Sequence, residues 1–337
     1  MRIFVKTAKA ALVLAQIAVL GGWVWLYLES RSPAGARGAV LFEVAKGKAV
    51  RAIAADLRAA AVVRKKTLFL LSYDLFYAPR NVKAGEYELP KGGRIRDVLD
   101  KLIEGKVLLH PVTVPEGLTG AEIGERFIAA GFGDRDAFGS AFRDTADIAL
   151  WDSKAKNLEG YLYPETYLLP KGLPAAEIVL RMTAQFKNVF GAAERARSAE
   201  MRMSLREVVT LASLIEKETA FPEEKKLVSA VFHNRLRLGM KLECDPTILY
   251  ALRLQGPRAG RLRTKDLKYD SPYNTYLYAG LPPGPIANPG RESLEAALYP
   301  AAADYLYFVS RNDGSHQFSR TLFEHNRAVK KYQLQIR

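Results

Sequence analysis

The stretch AALVLAQIAVLGGWVWLYL, residues 10–28, carries no charge over its 19 residues. A helix rises about 1.5 Å per residue, so a run of this length can cross the hydrocarbon core of a bilayer. Arg2, Lys6 and Lys9 precede it, and Trp23, Trp25 and Tyr27 gather near its far end. Basic flanks stay on the cytoplasmic side, and aromatic rings favour the membrane interface. The pattern predicts an anchor with its N-terminus in the cytoplasm and the body of the chain outside. A cleaved leader is the alternative, with Ala34-Gly35-Ala36 as a small-residue site. The apolar core of a leader is only about 7–15 residues long, so the sequence favours the uncleaved anchor.

The remaining chain is long enough for one large or two modest domains in a total of 337 residues. Its net charge of +14 calls for an anionic partner. A body outside the cytoplasm makes that partner an extracytoplasmic polymer rather than nucleic acid. The one cysteine, Cys244, has no disulfide partner and is assigned no role. His110, His233, His316 and His325 lack metal-ligand spacing, and neither a Walker A nor a dinucleotide fingerprint occurs. No metal and no organic cofactor are therefore expected.

Residues 29–38, ESRSPAGARG, read as a linker. A small repeat follows: VAKGKAVRAIAADLRAAAV from Val44 aligns without gaps to VPEGLTGAEIGERFIAAGF from Val114. Gly47 matches Gly117, Ile53 matches Ile123, and Leu57 meets Phe127. A weaker copy, PKGGRIRDVLDKLIEG, begins at Pro90. Each copy predicts an extended segment, a glycine turn and an amphipathic helix. The chain looks helical from about Thr183; Ser204 with Glu207 forms a capping box, and Pro222-Glu223-Glu224 a first helical turn. The Tyr-, Pro- and Gly-rich stretch 269–290 cannot form one regular element, whereas 305–310, YLYFVS, alternates as a strand does.

The stretch LASLIEKETA, 211–220, sets two carboxylates in an apolar helical run. At about 100° per residue, Glu216 falls about 20° from Leu205, in the arc of Val208, Val209, Ala212 and Ile215. Glu218 falls on nearly the opposite side, as an exposed or hydrogen-bonded helix-end charge. Leu211 and Leu214 lie off the stripe, so more than one face should be covered. An inward Glu216 must be paired, hydrogen-bonded or protonated. It is either a desolvated acid able to donate a proton near neutral pH, or half of a buried ion pair with Arg235 or another base of the following helix.

Further stretches carry a resemblance. EGYLYPETY at 159–167, LASLIEKET at 211–219, HNRL at 233–236 and DPTILY at 245–250 are similar to the MltG (YceG-like) family of membrane-anchored endolytic murein transglycosylases. SPYNTYLYAGLPPGPIANPG at 271–290 and YLYFVSRNDGSHQFSRTLFEHN at 305–326 continue the likeness. The resemblance implies an α+β fold: a transmembrane helix at 10–28 after a cytoplasmic 1–9, a linker at 29–38, a small LysM-like α/β module at 39–108, and a YceG-like α+β catalytic domain at 109–337. It further implies a lytic transglycosylase of the inner (plasma) membrane, with a periplasmic catalytic domain. Such an enzyme cuts between N-acetylmuramic acid and N-acetylglucosamine within nascent peptidoglycan strands, leaves 1,6-anhydro ends and terminates elongation. Cell-wall synthases, the penicillin-binding proteins, are the implied partners.

By the same resemblance Glu216 is the catalytic residue. Glu159, Tyr161, Asp245, Asn274 and Tyr276 are candidates, by resemblance and polarity, for holding the sugar. One carboxylate suffices because the sugar's own C6 hydroxyl attacks, and an intramolecular attack is strongly favoured. Two rivals remain open: a hydrolase pairing Glu216 with Asp245, which would leave reducing ends, and a catalytically silent glycan-binding scaffold for synthases.

Overall fold

The computed structural model describes residues 2–30, 38–256 and 262–334. The chain begins with α1 (Arg2–Ser30), β1 (Ala39–Val44), α2 (Val50–Ala59), α3 (Lys66–Phe76), β2 (Gly85–Pro90) and α4 (Ile95–Glu104). Then come β3 (Leu109–Thr113), α5 (Gly120–Ala129), α6 (Arg135–Arg143), β4 (Thr166–Pro170), α7 (Ala175–Val189) and α8 (Ala192–Glu200). The last part holds α9 (Leu205–Glu218), α10 (Pro222–Arg237), α11 (Asp245–Arg253), α12 (Arg291–Leu298), β5 (Tyr307–Ser310), β6 (His316–Ser319) and α13 (Leu322–Val329). The architecture is mixed helix and sheet. Most of the expected linker, with its Ala34-Gly35-Ala36 triplet, lies outside the described residues.

The repeat has a common backbone cause. β1 leads through Gly47 (φ 80°) to α2, β2 through Gly92 (φ 61°) to α4, and β3 through Gly117 (φ 75°) to α5. A side chain at such a φ would strain the turn, which explains the glycine. A fourth copy, absent from the sequence reading, runs from β4 through Gly172 (φ 75°) to α7.

Two units divide the chain: residues 1–110 with 168–172, and 111–167 with 173–337. In the first, β1 and β2 pair antiparallel from Ala39↔Pro90 to Val44↔Gly85. Their inner face and α2, α3 and α4 enclose Phe42, Ile53, Leu57, Phe69, Leu89 and Leu99. The span Leu12–Ser30 of α1 is long and apolar enough to cross a membrane, and almost none of it is buried in protein. Its far end meets α3, with Trp23 edge-on to Phe76 at 5.0 Å.

The second unit is built around α9, which touches α8, α10, α11 and α12. Leu205, Val208, Val209, Leu211, Ala212, Leu214 and Ile215 are all buried. A helix covered on every side is apolar nearly all round, which is why Leu211 and Leu214 stand off the stripe. Its start follows the expected capping box: the Ser204 hydroxyl accepts the Glu207 N–H at 3.3 Å, and Glu207 Oε2 accepts the Ser204 N–H at 2.7 Å. Pro222 opens α10. Neither a helix nor a strand occurs in 269–290, and β5 forms an antiparallel hairpin with β6.

Candidate active site

The last turn of α9 gives its two glutamates opposite surroundings. Glu216 has a side chain only 8 % exposed. Its Oε2 accepts from the Ser293 hydroxyl at 2.6 Å, from the Gly290 N–H at 3.0 Å and from Lys225 Nζ at 3.5 Å. Lys225 lies on α10 and is itself 4 % exposed. Helical phase therefore correctly turned Glu216 inward. What it meets there is the ion pair with a base of the following helix, with Lys225 in the place considered for Arg235.

Glu218 ends α9, and at Thr219 the chain becomes extended, at φ −139° and ψ 137°. It is partly accessible and hydrogen-bonded, the second of the two states expected of it. Burial, above all, pushes its carboxyl up from 4.5 to about 7, and neighbouring Asp245 adds to the rise. A hydrogen bond with the Cys244 thiol and the charges of His316 and Arg235 oppose the shift without cancelling it. A carboxyl so placed holds a proton near neutral pH and can release it.

Distant segments build this pocket. Cys244 caps α11; its N–H donates to Thr275 Oγ1 at 3.0 Å, and its carbonyl accepts from the Thr247 hydroxyl at 2.6 Å. Preceding Glu243 takes a left-handed φ of 52°, uncommon without glycine, and accepts from Arg235 Nη1 at 3.2 Å. Arg235 also donates to the carbonyls of Leu306, Lys241 and Leu242 and stacks on Tyr307 at 5.2 Å. From β6, His316 is gripped by Glu224 of α10: its N–H meets Oε1 at 2.8 Å, and Nδ1 lies 2.7 Å from Oε2.

The five polar candidates separate. Asp245 and Tyr276 join the Glu218 pocket, with the Tyr276 hydroxyl donating to Asp245 Oδ1 at 2.6 Å. Burial and that bond hold the Tyr276 phenol well above its usual range. Asn274 is fully buried; it donates to the carbonyls of Leu267 and Tyr269 and accepts the Tyr276 N–H at 3.0 Å. Its amide shapes the loop that carries Tyr276 and is not free for a sugar. Tyr161 is buried against Asp152, to which its hydroxyl donates at 2.6 Å.

Glu159 is 5 % exposed and accepts from the Gly120 N–H at 2.9 Å, Asn288 Nδ2 at 3.0 Å and the Tyr250 hydroxyl at 3.3 Å. Burial pushes it, too, up to about 7. Glu159 and Tyr161 border a cavity of 360 Å³ that Arg206, near the start of α9, also lines. Sequence reasoning left the base beside Glu216 open between Arg235 and its neighbours on the following helix, and it missed Cys244, Glu224 and His316. HNRL and the 305–326 stretch were the signals that contained Arg235 and His316.

Among the described residues, no group of His, Cys, Asp and Glu side chains is placed to hold a metal ion. The YceG-like family model matches residues 42–331. The chain belongs to the YceG-like family. Among YceG-like relatives, the endolytic murein transglycosylase of Bacillus subtilis (strain 168) is 33 % identical over 308 residues, covering 87 % of this chain and 84 % of that one. The endolytic murein transglycosylase of Streptococcus pneumoniae serotype 2 (strain D39 / NCTC 7466) is 29 % identical over 316 residues, covering 85 % of this chain but 57 % of its own longer one. A 2.6 Å crystal structure of a YceG-like protein from Listeria monocytogenes superposes with a TM-score of 0.59 at 34 % identity, covering 87 % of this chain and 100 % of that chain.

Proposed function

We propose that this chain is an endolytic murein transglycosylase, with Glu218 as its general acid and base. The names of its YceG-like relatives support the activity and peptidoglycan as substrate. The observation that carries the mechanism is the partly accessible Glu218 carboxyl, raised to about 7 at the end of α9. The resemblance named Glu216 for this role. Its three donors, the buried Lys225 among them, favour a fixed carboxylate instead.

In the reaction Glu218 gives its proton to the glycosidic oxygen as the C1–O bond breaks. The C6 hydroxyl of the same muramic acid attacks C1, forming the 1,6-anhydro bridge. Its proton passes to the now ionised Glu218, which restores the acid. No water is consumed, and one carboxyl serves both steps. Asp245 and Tyr276 line the approach and contact the sugar near the developing positive charge.

The test compares Glu216→Gln with Glu218→Gln on purified strands and weighs the products. Loss of activity in Glu218→Gln, with anhydro ends from wild type, is expected. An active, folded Glu218→Gln ends the assignment. Reducing ends from wild type would make water the nucleophile and favour the hydrolase that uses Asp245 as second carboxylate.

The remaining parts of the proposal concern organisation. α1 is an uncleaved anchor with its N-terminus in the cytoplasm, supported by its apolar span and basic flank. The β-α-α-β order of β1, α2, α3 and β2 supports a LysM-like, glycan-holding module at 39–108, ahead of a catalytic domain at 109–337. The periplasmic face of the inner membrane is then the site of action, beside the penicillin-binding proteins that make the strands. Sequencing the mature N-terminus tests the anchor, and a start near Gly35 would defeat it. Unchanged strand binding after deletion of 39–108 would defeat the module's role.

A further inference from the structure

Three successive side chains at the end of α9 are fastened in three different ways. Glu216 is held by the start of α12, where Gly290 is the N-cap and Ser293 lies in the first turn, and by Lys225 of α10. Lys217 donates through Nζ to the Gly117 carbonyl at 3.0 Å, in the glycine turn before α5. Glu218 alone faces the Cys244–Asp245 pocket.

The fit around Glu216 is close. Lys225 Nζ lies 3.5 Å from Glu216, 3.5 Å from Glu292 and 3.8 Å from Glu116. Of the three carboxylates only Glu216 is shielded, at 8 % exposure against 54 % for Glu292 and 47 % for Glu116. A Cβ on Gly290 would run into the Glu116 carboxyl. Gly117 itself packs on Glu216, where an added Cβ would meet Cγ at 3.4 Å.

The need for such fastening is local. The final turn of a helix has carbonyls without intrahelical partners and frays readily. Here α9 stops at Glu218 and the chain turns extended at once. A reacting carboxyl on a fraying turn would wander, and a misplacement of about 1 Å can cost about 10²-fold in rate. We propose that Glu216 is a positioning residue: with Lys217 it pins the last turn of α9 to α10, α12 and the Gly117 turn, and so aims Glu218 at the scissile bond. This rests on the reading of Glu218 as the acid.

The test uses the full-length protein in detergent on murein strands of defined length. It measures kcat, KM and the pH profile of kcat for Glu216→Gln, Ser293→Ala and Glu218→Gln. The expected result for Glu216→Gln is a fall of about 10–100-fold in kcat, with KM within about threefold of wild type. Its rate should still decline through neutral pH, because Glu218 still titrates. Ser293→Ala removes one hydrogen bond and leaves the ion pair, so it should fold and lose about 3–10-fold in kcat alone. Glu218→Gln should lose the chemical step and the neutral-pH decline together.

Wild-type kcat in both Glu216→Gln and Ser293→Ala would overturn the positioning role while leaving Glu218 as the acid. If Glu216→Gln instead abolishes the neutral-pH decline and Glu218→Gln stays active, both readings fall, and Glu216 is itself the acid.

Discussion

Glu159 and Glu218 carry carboxyls raised to the same level, about 7, in different surroundings. Glu159 borders a cavity of 360 Å³, but both its oxygens are engaged. Its donors are Gly120, Asn288 and Tyr250, and Asn288 in turn donates to the Leu118 carbonyl and accepts the Leu162 N–H, both at 2.9 Å. Glu218 lies at intermediate exposure beside Cys244 and Asp245, the latter bonded to Tyr276. A perturbed carboxyl is a better candidate for chemistry when its oxygens are not already taken up by fixed donors. At Glu159 the same perturbation is a by-product of holding four segments together.

The sharpest way to break this comparison is to remove each transferable proton. Glu218→Gln should lower turnover by at least about 10²–10⁴-fold, as expected for loss of a general acid. Wild-type turnover should be present at acidic pH and lost as pH rises through about 7, because Glu218 must start protonated. Glu159→Gln should keep that profile and most of the turnover. Equal losses in the two variants, measured as anhydro ends per minute, would erase the distinction.

Stability separates them next. Replacing Asn288 by Ala takes one of three donors from Glu159 and leaves the buried Leu162 N–H without its acceptor, at a cost of about 1–3 kcal/mol for the group left unsatisfied. A urea midpoint unchanged from wild type would contradict this network.

The pH dependence of folding is a subtler probe. Glu159 titrates at 4.5 when unperturbed and at about 7 when folded. Between those values the native state holds a proton that the unfolded state has released. Its contribution is full below pH 4.5 and is lost as pH rises through 7, a change on the order of 3 kcal/mol. Glu218 acts with the same sign, so Glu159→Gln should remove part of the slope and the double Gln variant more. A slope unaltered in the Glu159 variant would mean that its carboxyl is ionised in the native state.

The smallest expected effect belongs to Tyr276→Phe, which frees Asp245 from one hydrogen bond. Turnover should fall by about 2–10-fold, the scale of a single net hydrogen bond, with the neutral-pH decline retained. A loss as large as that of Glu218→Gln would give the phenol a direct part in proton transfer.

Local patterns were legible in the sequence where local physics decides the outcome. The Ser204–Glu207 box, the Pro222 start of α10 and the glycine turns at Gly47, Gly92 and Gly117 depend on neighbours a few residues away. The family likeness pointed to the last turn of α9, which carries both glutamates. The choice between Glu216 and Glu218 was not legible, because helical phase assumes one buried face and one wet one. α9 is packed on several sides, so its far side is another interior, supplied by Cys244 before α11, by Asp245 of α11 and by His316 of β6. Glu159, Tyr161 and Asn274 look like sugar ligands by polarity. Only the fold reveals that their polar atoms are already engaged with Gly120, Asp152 and the 267–276 loop.

The position of Glu218 as the final residue of α9 has an electrical consequence of its own. Aligned peptide dipoles leave a partial negative charge, roughly half an electron, at the C-terminal end of a helix. That end opposes a second negative charge on the carboxyl, in the same direction as burial and Asp245. Unlike Asp245, it cannot be titrated or replaced by changing one side chain, and it acts most strongly within the last turn. The fold thus carries part of the bias toward a protonated acid in its backbone, where it persists through each catalytic cycle and through substitution of any neighbouring side chain.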